Sequence, residues 1–454
     1  MLNRLYCSKL LLVIFTVCFS CGSDDAYTAL EVNVMDDVYQ LYQNNNLEMN
    51  VLENDSNIPH QGTWTVGNVL NGTVEILDSG TPNDISDDKL KYTPSIDFIG
   101  DVNFSYTICN NSNCDAAMVT ISVLPNSPVN VDLDELPYDT LSEYHFFEGD
   151  LKDLNPVFGV LPYDLIAPLF SDYAKKKRFI WMPDNVSAAY VDDYTSLDFP
   201  TGTILIKSFY YDNVLPDNST KIIETRLMIK QTEGWTFANY EWNEAQTEAL
   251  FTTDEEEITL DWIEEGESKH VVYRIPPFPE CFTCHNKYEV PLPIGPKPQN
   301  LNRLFQYGNG NQNQLAKWVE MGYLNSDVPS DIDSVVSWDD ESEDLETRVR
   351  SYLDINCAHC HSDQSYCEYA NVRFEFHKTN EPVNMGVCVD GTFLFDNSIT
   401  QIVAPGNHLR SIIYNRINTT DGSIRMPLLG RTLIHEDGTE LIQEWINSLE
   451  TNCE

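Results

Sequence analysis

Basic residues are scarce in this 454-residue chain, which has 27 Lys and Arg against 71 Asp and Glu and a formal net charge of −44. Such an acidic chain repels phosphate backbones, so nucleic acid is excluded as an expected partner. After the N-terminus, no apolar run reaches the roughly 18 residues that a membrane span needs. Hydrophobic residues nevertheless make up 42% of the chain and aromatic residues 11%. We therefore expect folded domains with a strongly negative surface, not a disordered acidic chain.

The N-terminus has the features of an export signal. A positively charged start precedes an apolar core at 10–19, which is too short to span a bilayer and ends at Ser20-Cys21. Residues 1–20 resemble a bacterial lipoprotein signal peptide, in which Cys21 is lipidated and becomes the first residue. The resemblance implies an exported outer-membrane lipoprotein, facing the periplasm or the cell surface, that acyl chains hold on the membrane. Plain secretion is the alternative.

An exported compartment is oxidising, so cysteines that bind no ligand should pair. Cys109 and Cys114 flank a short turn between two strand-like runs, which predicts a disulfide across a hairpin. Cys367 and Cys388 are the next expected pair. Cys453 is left without a predicted partner.

Residues 27–125 read as short alternating strands separated by Asn, Asp, Gly and Pro, the pattern of an all-β sandwich. Their ND…YTP…F.G…F.YT sequence pattern resembles that of bacterial cadherin-like or immunoglobulin-like (Ig-like) modules. This resemblance implies a spacer or an adhesion module. Asp55, Asp84, Asp87 and Asp88 offer oxygen ligands for Ca²⁺. No Ca²⁺-ligand spacing is recognisable, and the other interpretation is that they are solvated loop acids.

A Pro- and Asp-rich linker at 124–137 separates this module from residues 138–275. There, runs such as IIETRLMIKQ (222–231) alternate with the period of two that half-buried strands have, which predicts an antiparallel β domain. ETR (224–226) and YEWNE (240–244) are candidates for a polar site, but they are interpreted as cross-strand ion pairs on a solvent-facing side.

Two further segments, 276–330 and 346–454, favour helices and carry one CxxCH motif each, CFTCH at 281–285 and CAHCH at 357–361. CxxCH is the attachment signature of c-type haem, because two thiols on one helical turn reach both vinyl groups of a porphyrin and the next His supplies a nitrogen to iron. A zinc site or a redox dithiol is the alternative, but neither requires His in both copies.

The two motifs therefore predict two haem c groups. The predicted attachment residues are Cys281, Cys284, Cys357 and Cys360, and the predicted proximal iron ligands are His285 and His361.

The second motif has further signals around it. LETRVRSYLDIN (345–356) and TELIQEWINSL (439–449) have amphipathic helical patterns, and RMPLLG (425–430) lies between them. This order is similar to that of small class I cytochromes c, in which a Met loop supplies the second axial ligand. The resemblance implies that Met426 is the distal ligand opposite His361. The alternative is that Met426 is an exposed loop residue.

The distal ligand of the first haem stays open. Met321 lies in a helical pattern at 315–324 where Met is typical of a core. His270 precedes the motif and His145 lies further upstream. Each of the three is a candidate for the sixth iron position, and an open or water-bound site is the alternative.

Residues 138–454 together resemble a known, uncharacterised family of diheme c-type cytochromes. Matching words include PYDLIAPLFSDYAKKKRFIWMP (162–183), YLDINCAHCH (352–361) and IVAPGNHLRSIIYNRI (402–417). The resemblance implies an exported redox protein, with the Ig-like module as a stalk that lifts the haem domains from the membrane.

The expected fold class is a multidomain chain with an N-terminal all-β Ig-like sandwich, a central antiparallel β domain and C-terminal α-helical class I cytochrome c-like haem domains. We expect a lipid-anchored protein that transfers electrons through two haems, between donors and acceptors with basic docking patches. The alternative is a diheme redox enzyme, peroxidase-like, with an open site at the first haem. A third interpretation, a surface adhesion lipoprotein, leaves both haem motifs unexplained.

Overall fold

The structure of the protein, a computed structural model, describes residues 31–111, 113–308, 310–450 and 453. They belong to two compact units, with the division between Pro125 and Asn126. The predicted signal peptide and the predicted lipidation site, Cys21, lie outside the described residues. No helix in the described part of the chain is both long and apolar enough to cross a membrane.

The N-terminal unit consists of strands in two sheets. Its strands are β1 (Asp37–Tyr42), β2 (Leu47–Met49), β3 (Thr63–Val66), β4 (Gly72–Leu77), β5 (Lys89–Pro94), β6 (Gly100–Asn110) and β7 (Asn113–Leu124). One sheet has the order β1-β7-β6-β3 and the other the order β2-β5-β4. Alternate residues of β6, from Val102 to Ile108, are buried against Leu90 and Tyr92 of the second sheet. The period-two pattern therefore produces one apolar core between two sheets.

The C-terminal unit begins with β structure. Its strands are β8 (Phe147–Glu148), β9 (Asn155–Pro156), β10 (Leu161–Tyr163), β11 (Lys175–Trp181), β12 (Ile204–Val214), β13 (Ser219–Gln231), β14 (Gly234–Trp242), β15 (Ala249–Thr252), β16 (Glu256–Glu264), β17 (Glu267–Ile275), β18 (Leu304–Tyr307) and β19 (Gly310–Asn313). Strands β10 to β15 pair in chain order, and β16 joins the same eight-stranded sheet through β12 and pairs with β17. All these pairings are antiparallel, as predicted for the central domain.

The two faces of the eight-stranded sheet have different partners. Ile206 and Leu227 belong to one face, which packs in a core with residues 141–160. Leu205 and Phe237 belong to the other, and their core also contains residues from 301 to 376. The chain after residue 276 therefore folds onto the second face of the sheet.

Helices are few and mostly short. They are α1 (Phe278–Cys284), α2 (Pro298–Leu301), α3 (Gln314–Glu320), α4 (Leu345–Asn356), α5 (Ile412–Ile417) and α6 (Glu436–Ser448), with 3-10 turns at Leu141–Tyr144, Leu151–Asp153 and His408–Arg410. The side chain of Asp344 accepts the N–H of Thr347 at 3.0 Å and caps α4. Val349 and Leu353 of α4 pack with Ile442 and Trp445 of α6.

The expected fold class needs correction at this point. The described chain is mostly β, and α-helical haem domains at 276–330 and 346–454 are not what the structure contains. Both segments share a core with the sheet, through Trp318 and Ile355, and residues 126–454 form one unit. Burial against the sheet, and not helix packing within each segment, organises this half of the chain.

One of the two predicted disulfides is wrong. Cys109 and Cys114 are joined across the β6–β7 hairpin. Cys388, however, is joined to Cys453, and the predicted partner Cys367 is a buried free thiol. The reason is tertiary: the N–H of Cys367 donates to the carbonyl of Cys360 at 2.9 Å, which holds Cys367 in the loop of the second CxxCH motif.

Candidate functional site

The first CxxCH motif lies at the end of α1. Pro279 occupies the first turn of this helix, where a missing N–H leaves no bond unmade. The N–H of His285 donates to the carbonyl of Cys281 at 2.9 Å, so the helical hydrogen bonding continues through the motif. Cys281 and Cys284 are therefore three residues apart on one turn, and both are free thiols.

His285 has the hydrogen bonding of an iron ligand. Its Nδ1 lies 2.8 Å from the carbonyl oxygen of Leu292, and because a carbonyl only accepts, Nδ1 carries the proton and Nε2 the lone pair. Burial, together with the charge of Lys207, lowers the pKa of His285 to about 3. The ring also meets the ring of Phe237 edge-on at 5.2 Å between centroids. His285 is thus a fixed, neutral imidazole.

The second motif follows α4 directly. The N–H of Cys357 bonds to Leu353 O and that of His361 to Cys357 O, both at 2.9 Å. Burial raises the pKa of the Cys357 thiol to about 12 and lowers the pKa of His361 to about 4. The Nδ1 of His361 is buried and has no hydrogen-bond partner among the described residues.

The two motifs meet in space. Ligand atoms of Cys284, His359 and Cys360 all lie within 4.8 Å of one another, and the Cys360 thiol is 3.9 Å from the carbonyl oxygen of Thr283. The thiol of Cys360 lowers the pKa of Cys284, and Cys284 in turn raises the pKa of Cys360. His359 is therefore not the exposed residue that its place between the two Cys suggests.

Two cavities adjoin this meeting point. The first-motif cavity, of ≈ 180 Å³, is lined by Cys281, Cys284 and His285 and by one face of the eight-stranded sheet. The second-motif cavity, of ≈ 420 Å³, is lined by Cys357, Cys360 and His361 and by residues 366–374 and 412–417. Small-molecule sites commonly measure about 300–1,000 Å³, so the second has the volume of such a site and the first is smaller.

Met426 borders both cavities. It lies in the same cavity lining as His361, as the sequence predicts for a distal ligand. Its N–H donates to the carbonyl of Arg416 at 2.9 Å, and its own carbonyl accepts from Arg431 at 2.9 Å. These bonds tie the Met loop to the end of α5.

The donor residues of each motif fit a haem, although the first-motif cavity is smaller than a typical small-molecule site. None of the four motif cysteines is in a disulfide, which leaves two thiols per motif for attachment. The neutral imidazole of His285 has its outer nitrogen bonded to a carbonyl, as metal-bound His usually does. The Nδ1 of His361 has no such partner among the described residues, so this hydrogen bond is seen at the first motif and not at the second. Cys284, His359 and Cys360 together also fit a three-ligand zinc site, which is the alternative donor set.

The sequence-predicted candidates for the first haem's distal ligand lie elsewhere. Among the described residues that line the two cavities, Met321, His270 and His145 do not occur. Met321 packs against the apolar core after α3. His270 is 60% exposed on β17, and its Nδ1 is 2.9 Å from Asp261. His270, on an edge strand, and Met321, against the core, therefore do not line either cavity.

The four acids considered for Ca²⁺ do not converge. Asp55 accepts the hydroxyl of Tyr106 at 2.9 Å. Asp84 accepts from Ser86 at 2.6 Å, and Asp87 accepts from Thr81 at 2.8 Å. Within the part of the chain that the structure describes, the only group of three or more metal-ligating residues is Cys284, His359 and Cys360.

The ETR stretch was misinterpreted from sequence. Glu224 is fully buried, and it holds Arg226 through two bonds of 2.6 and 2.9 Å and accepts the hydroxyl of Tyr273 at 2.5 Å. Arg226 lines the first-motif cavity. The sequence did show Lys and Arg alternating with apolar residues in these strands. Only the fold shows that these cations lie on a buried face of the sheet.

Residues 28–122 match the family described as a bacterial Ig domain, which confirms the Ig-like module. The chain matches no curated protein. The resemblance of 138–454 to diheme cytochromes therefore stays a prediction.

Proposed function

We propose that the protein is an exported cytochrome that transfers electrons through two covalently bound haem c groups. The observation that supports it most strongly is the convergence of the two CxxCH motifs. Cys284 of one motif and Cys360 of the other have sulfur atoms within 4.8 Å of each other. Two cofactors attached there would be neighbours, and electron tunnelling requires a short path.

Each motif supplies a complete set of attachment groups. Cys281 and Cys284 hold one porphyrin and Cys357 and Cys360 the other, while His285 and His361 provide neutral imidazole nitrogens. A haem bound at each motif supplies one reversible Fe(III)/Fe(II) couple.

The surroundings of the second motif favour electron transfer over catalysis. Met426 shares a cavity lining with His361, and a thioether in the sixth position leaves no site for a substrate. α4 leads into the motif and packs against the C-terminal helix α6. The proposed likeness to class I cytochromes c rests on this helix pair.

The N-terminal half supports an exported location. The bacterial Ig domain at 28–122 follows the lipoprotein-like signal, and we propose that Cys21 anchors the chain to the outer membrane. Cys21→Ser should release the protein from membranes into the soluble fraction. Retention of this variant on membranes would contradict the anchor. The acidic surface fits donors and acceptors with basic patches.

The test of the proposal is the mass and porphyrin content of the exported protein. The expected result is an intact mass of the polypeptide plus two haems, and two haems per chain in a pyridine haemochrome assay. An apoprotein mass would contradict the proposal. Zinc in metal analysis instead of iron would favour the Cys284–His359–Cys360 donor set.

A diheme redox enzyme is the second candidate. Met321 and His270, two candidates for the distal ligand of the first haem, do not line the first-motif cavity. A first haem without a distal ligand would have an open site, which favours an enzyme. Carbon monoxide added to the reduced protein distinguishes the two functions. A spectral change at one haem supports an open first site, whereas no change at either haem excludes the enzyme.

A further inference from the structure

One face of the eight-stranded sheet carries a polar row. Its members are directly opposite one another on six successive strands, one on each from β10 to β15. All of them line the first-motif cavity. They are Tyr163, Arg178, Lys207, Arg226, Asn239 and Thr252.

Three neighbouring members of the polar row are cationic. Arg178 is paired with Lys207, and Lys207 with Arg226. Like charges directly opposite each other on adjacent strands destabilise a sheet. Some other interaction must therefore offset this arrangement.

Carboxylates compensate the outer two cations only. Arg178 donates to Asp164 at 2.6 Å, and Arg226 has its bidentate pair with Glu224. The ammonium of Lys207 has no carboxylate and no hydrogen-bond partner among the described residues, and it lies 5.4 Å from the ring centroid of Phe209. An unpaired cation inside a folded unit is costly, even over an aromatic ring. Burial, with Arg178 and Arg226 beside it, lowers the pKa of Lys207 to about 7, and an anion next to the ammonium would favour its charged form.

The acids that line this cavity have other partners. Asp172 accepts the N–H groups of Thr432 and Leu433 at 2.7 and 2.8 Å. Glu280 is held by Arg274 at 2.7 Å. The excess positive charge of the polar row therefore faces the cavity. In a chain of net charge −44, such a site is selective for an anion that reaches the interior.

We infer that Lys207, flanked by Arg178 and Arg226, binds a carboxylate or similar oxyanion carried by the occupant of the first-motif cavity. An ammonium between two guanidinium groups offers charge-assisted hydrogen bonds to such a group. Two sources supply this chemistry. One is a propionate of the haem attached at Cys281 and Cys284, which rests on the proposed function. The other is a small free oxyanion.

The experiment compares Lys207→Met with Lys177→Met in the full-length, haem-loaded protein. Lys177 is an exposed residue of β11, adjacent to Arg178 in sequence. Two measurements are made on each protein. One is the pair of haem midpoint potentials. The other is the change in thermal unfolding midpoint with sodium sulfate, against sodium chloride at equal ionic strength.

A propionate source predicts that Lys207→Met lowers one midpoint potential and leaves the other unchanged, because the lost positive charge favoured Fe(II). Sulfate then has no specific effect on the wild type. A free oxyanion predicts instead that sulfate stabilises the wild type and the Lys177→Met control, and that Lys207→Met loses at least about tenfold in apparent sulfate affinity.

Unchanged potentials together with no specific sulfate response would overturn the inference. If Lys207→Met does not fold, Lys207→Gln, which also removes the charge, is compared with Lys177→Gln in the same two measurements. The same outcomes are expected, and unchanged potentials together with no specific sulfate response would again overturn the inference. A protein without porphyrin would refute the proposed function alone, since the sulfate measurement needs no haem.

Discussion

The two CxxCH motifs have the same signature but different surroundings. The first lies on a helix of 7 residues, α1, against a sheet face that presents Arg178, Lys207 and Arg226. The second follows a helix of 12 residues, α4, and its cavity is lined by apolar residues such as Val372, Phe374 and Ile412. The first motif faces buried cations and the second faces a mostly apolar wall, while the Met loop borders both cavities.

This difference shows how one attachment chemistry can give two redox sites. An axial thioether raises a haem potential relative to bis-His ligation, which is the means available at the second motif through Met426. Charge is the means available at the first, because nearby cations favour Fe(II). With haems bound as proposed, the protein would have two separate ways to set the order in which they are reduced.

The largest expected effect is loss of one cofactor. Cys281→Ser/Cys284→Ser and Cys357→Ser/Cys360→Ser should each retain one haem per chain, because each pair serves a different porphyrin. Pyridine haemochrome assay and intact mass give the count. Cys367→Ser is the matched control, since Cys367 is a free thiol that lines the second-motif cavity but is not one of the four CxxCH cysteines, and it should retain two haems. Loss of both haems from either double variant would mean that the sites are not separate.

A smaller change should affect the second site alone. Met426→Ala should abolish the sulfur-to-iron absorption band of the oxidised protein, lower one midpoint potential, and make one reduced haem reactive with carbon monoxide. The reason is that Met426 is the only predicted distal thioether that lines the cavity of His361. The measurements are visible spectroscopy and redox titration.

Met321→Ala is the matched control for this variant. Met321 packs in the core next to α3, so its removal should leave the band in place. Persistence of the band in Met426→Ala would refute the ligand assignment.

Core variants test whether the regions around the two CxxCH motifs unfold as one unit. Leu301 belongs to the core against which Cys281 of the first motif packs, Ile442 of α6 packs with residues of α4, and both are fully buried. Leu301→Ala and Ile442→Ala should each cost about 2–5 kcal/mol. Because residues 126–454 form one compact unit, both should shift the same denaturant transition.

The control is Leu409→Ala, at a side chain that is 63% exposed, and it should change stability by no more than about 0.5 kcal/mol. Urea unfolding followed by tryptophan fluorescence makes the measurement. Separate transitions for the two core variants would support independent haem domains instead.

Features that depend on a few neighbouring residues could be predicted from the sequence. The alternation in β6 gave the Ig-like sandwich, and the motif at 281–285 gave a helical turn with two thiols and a neutral His. The solvent-facing interpretation of Glu224 failed because a period of two identifies two faces of a strand but does not say what covers each. The side of β13 that carries Glu224 becomes buried only when its two neighbouring strands pair with it and the chain after residue 276 packs on the sheet.

Long-range pairing was also beyond the sequence. The link from Cys388 to Cys453 spans 65 residues, and the meeting of Cys284 with His359 depends on both segments folding onto one sheet. Spacing along a chain contains little information on such contacts, since many connectivities satisfy the same cysteine count.

The smallest effect expected is on stability as a function of pH, and it concerns His435, which lines the first-motif cavity. His435 stacks on Phe170 with 4.1 Å between centroids, and its Nδ1 is 3.0 Å from the hydroxyl of Tyr352. Burial, with Lys176 and Arg431 nearby, lowers the pKa of His435 from 6.5 to about 4. The unfolded chain therefore binds more protons in that range, so stability is complete above pH 6.5 and falls as pH decreases towards 4, by roughly 3 kcal/mol at most. His435→Gln should flatten this part of the profile, measured as urea midpoints at pH 7, 6 and 5. If the urea midpoint of His435→Gln falls with pH as steeply as that of the wild type, then protonation of His435 is not the cause of the loss of stability.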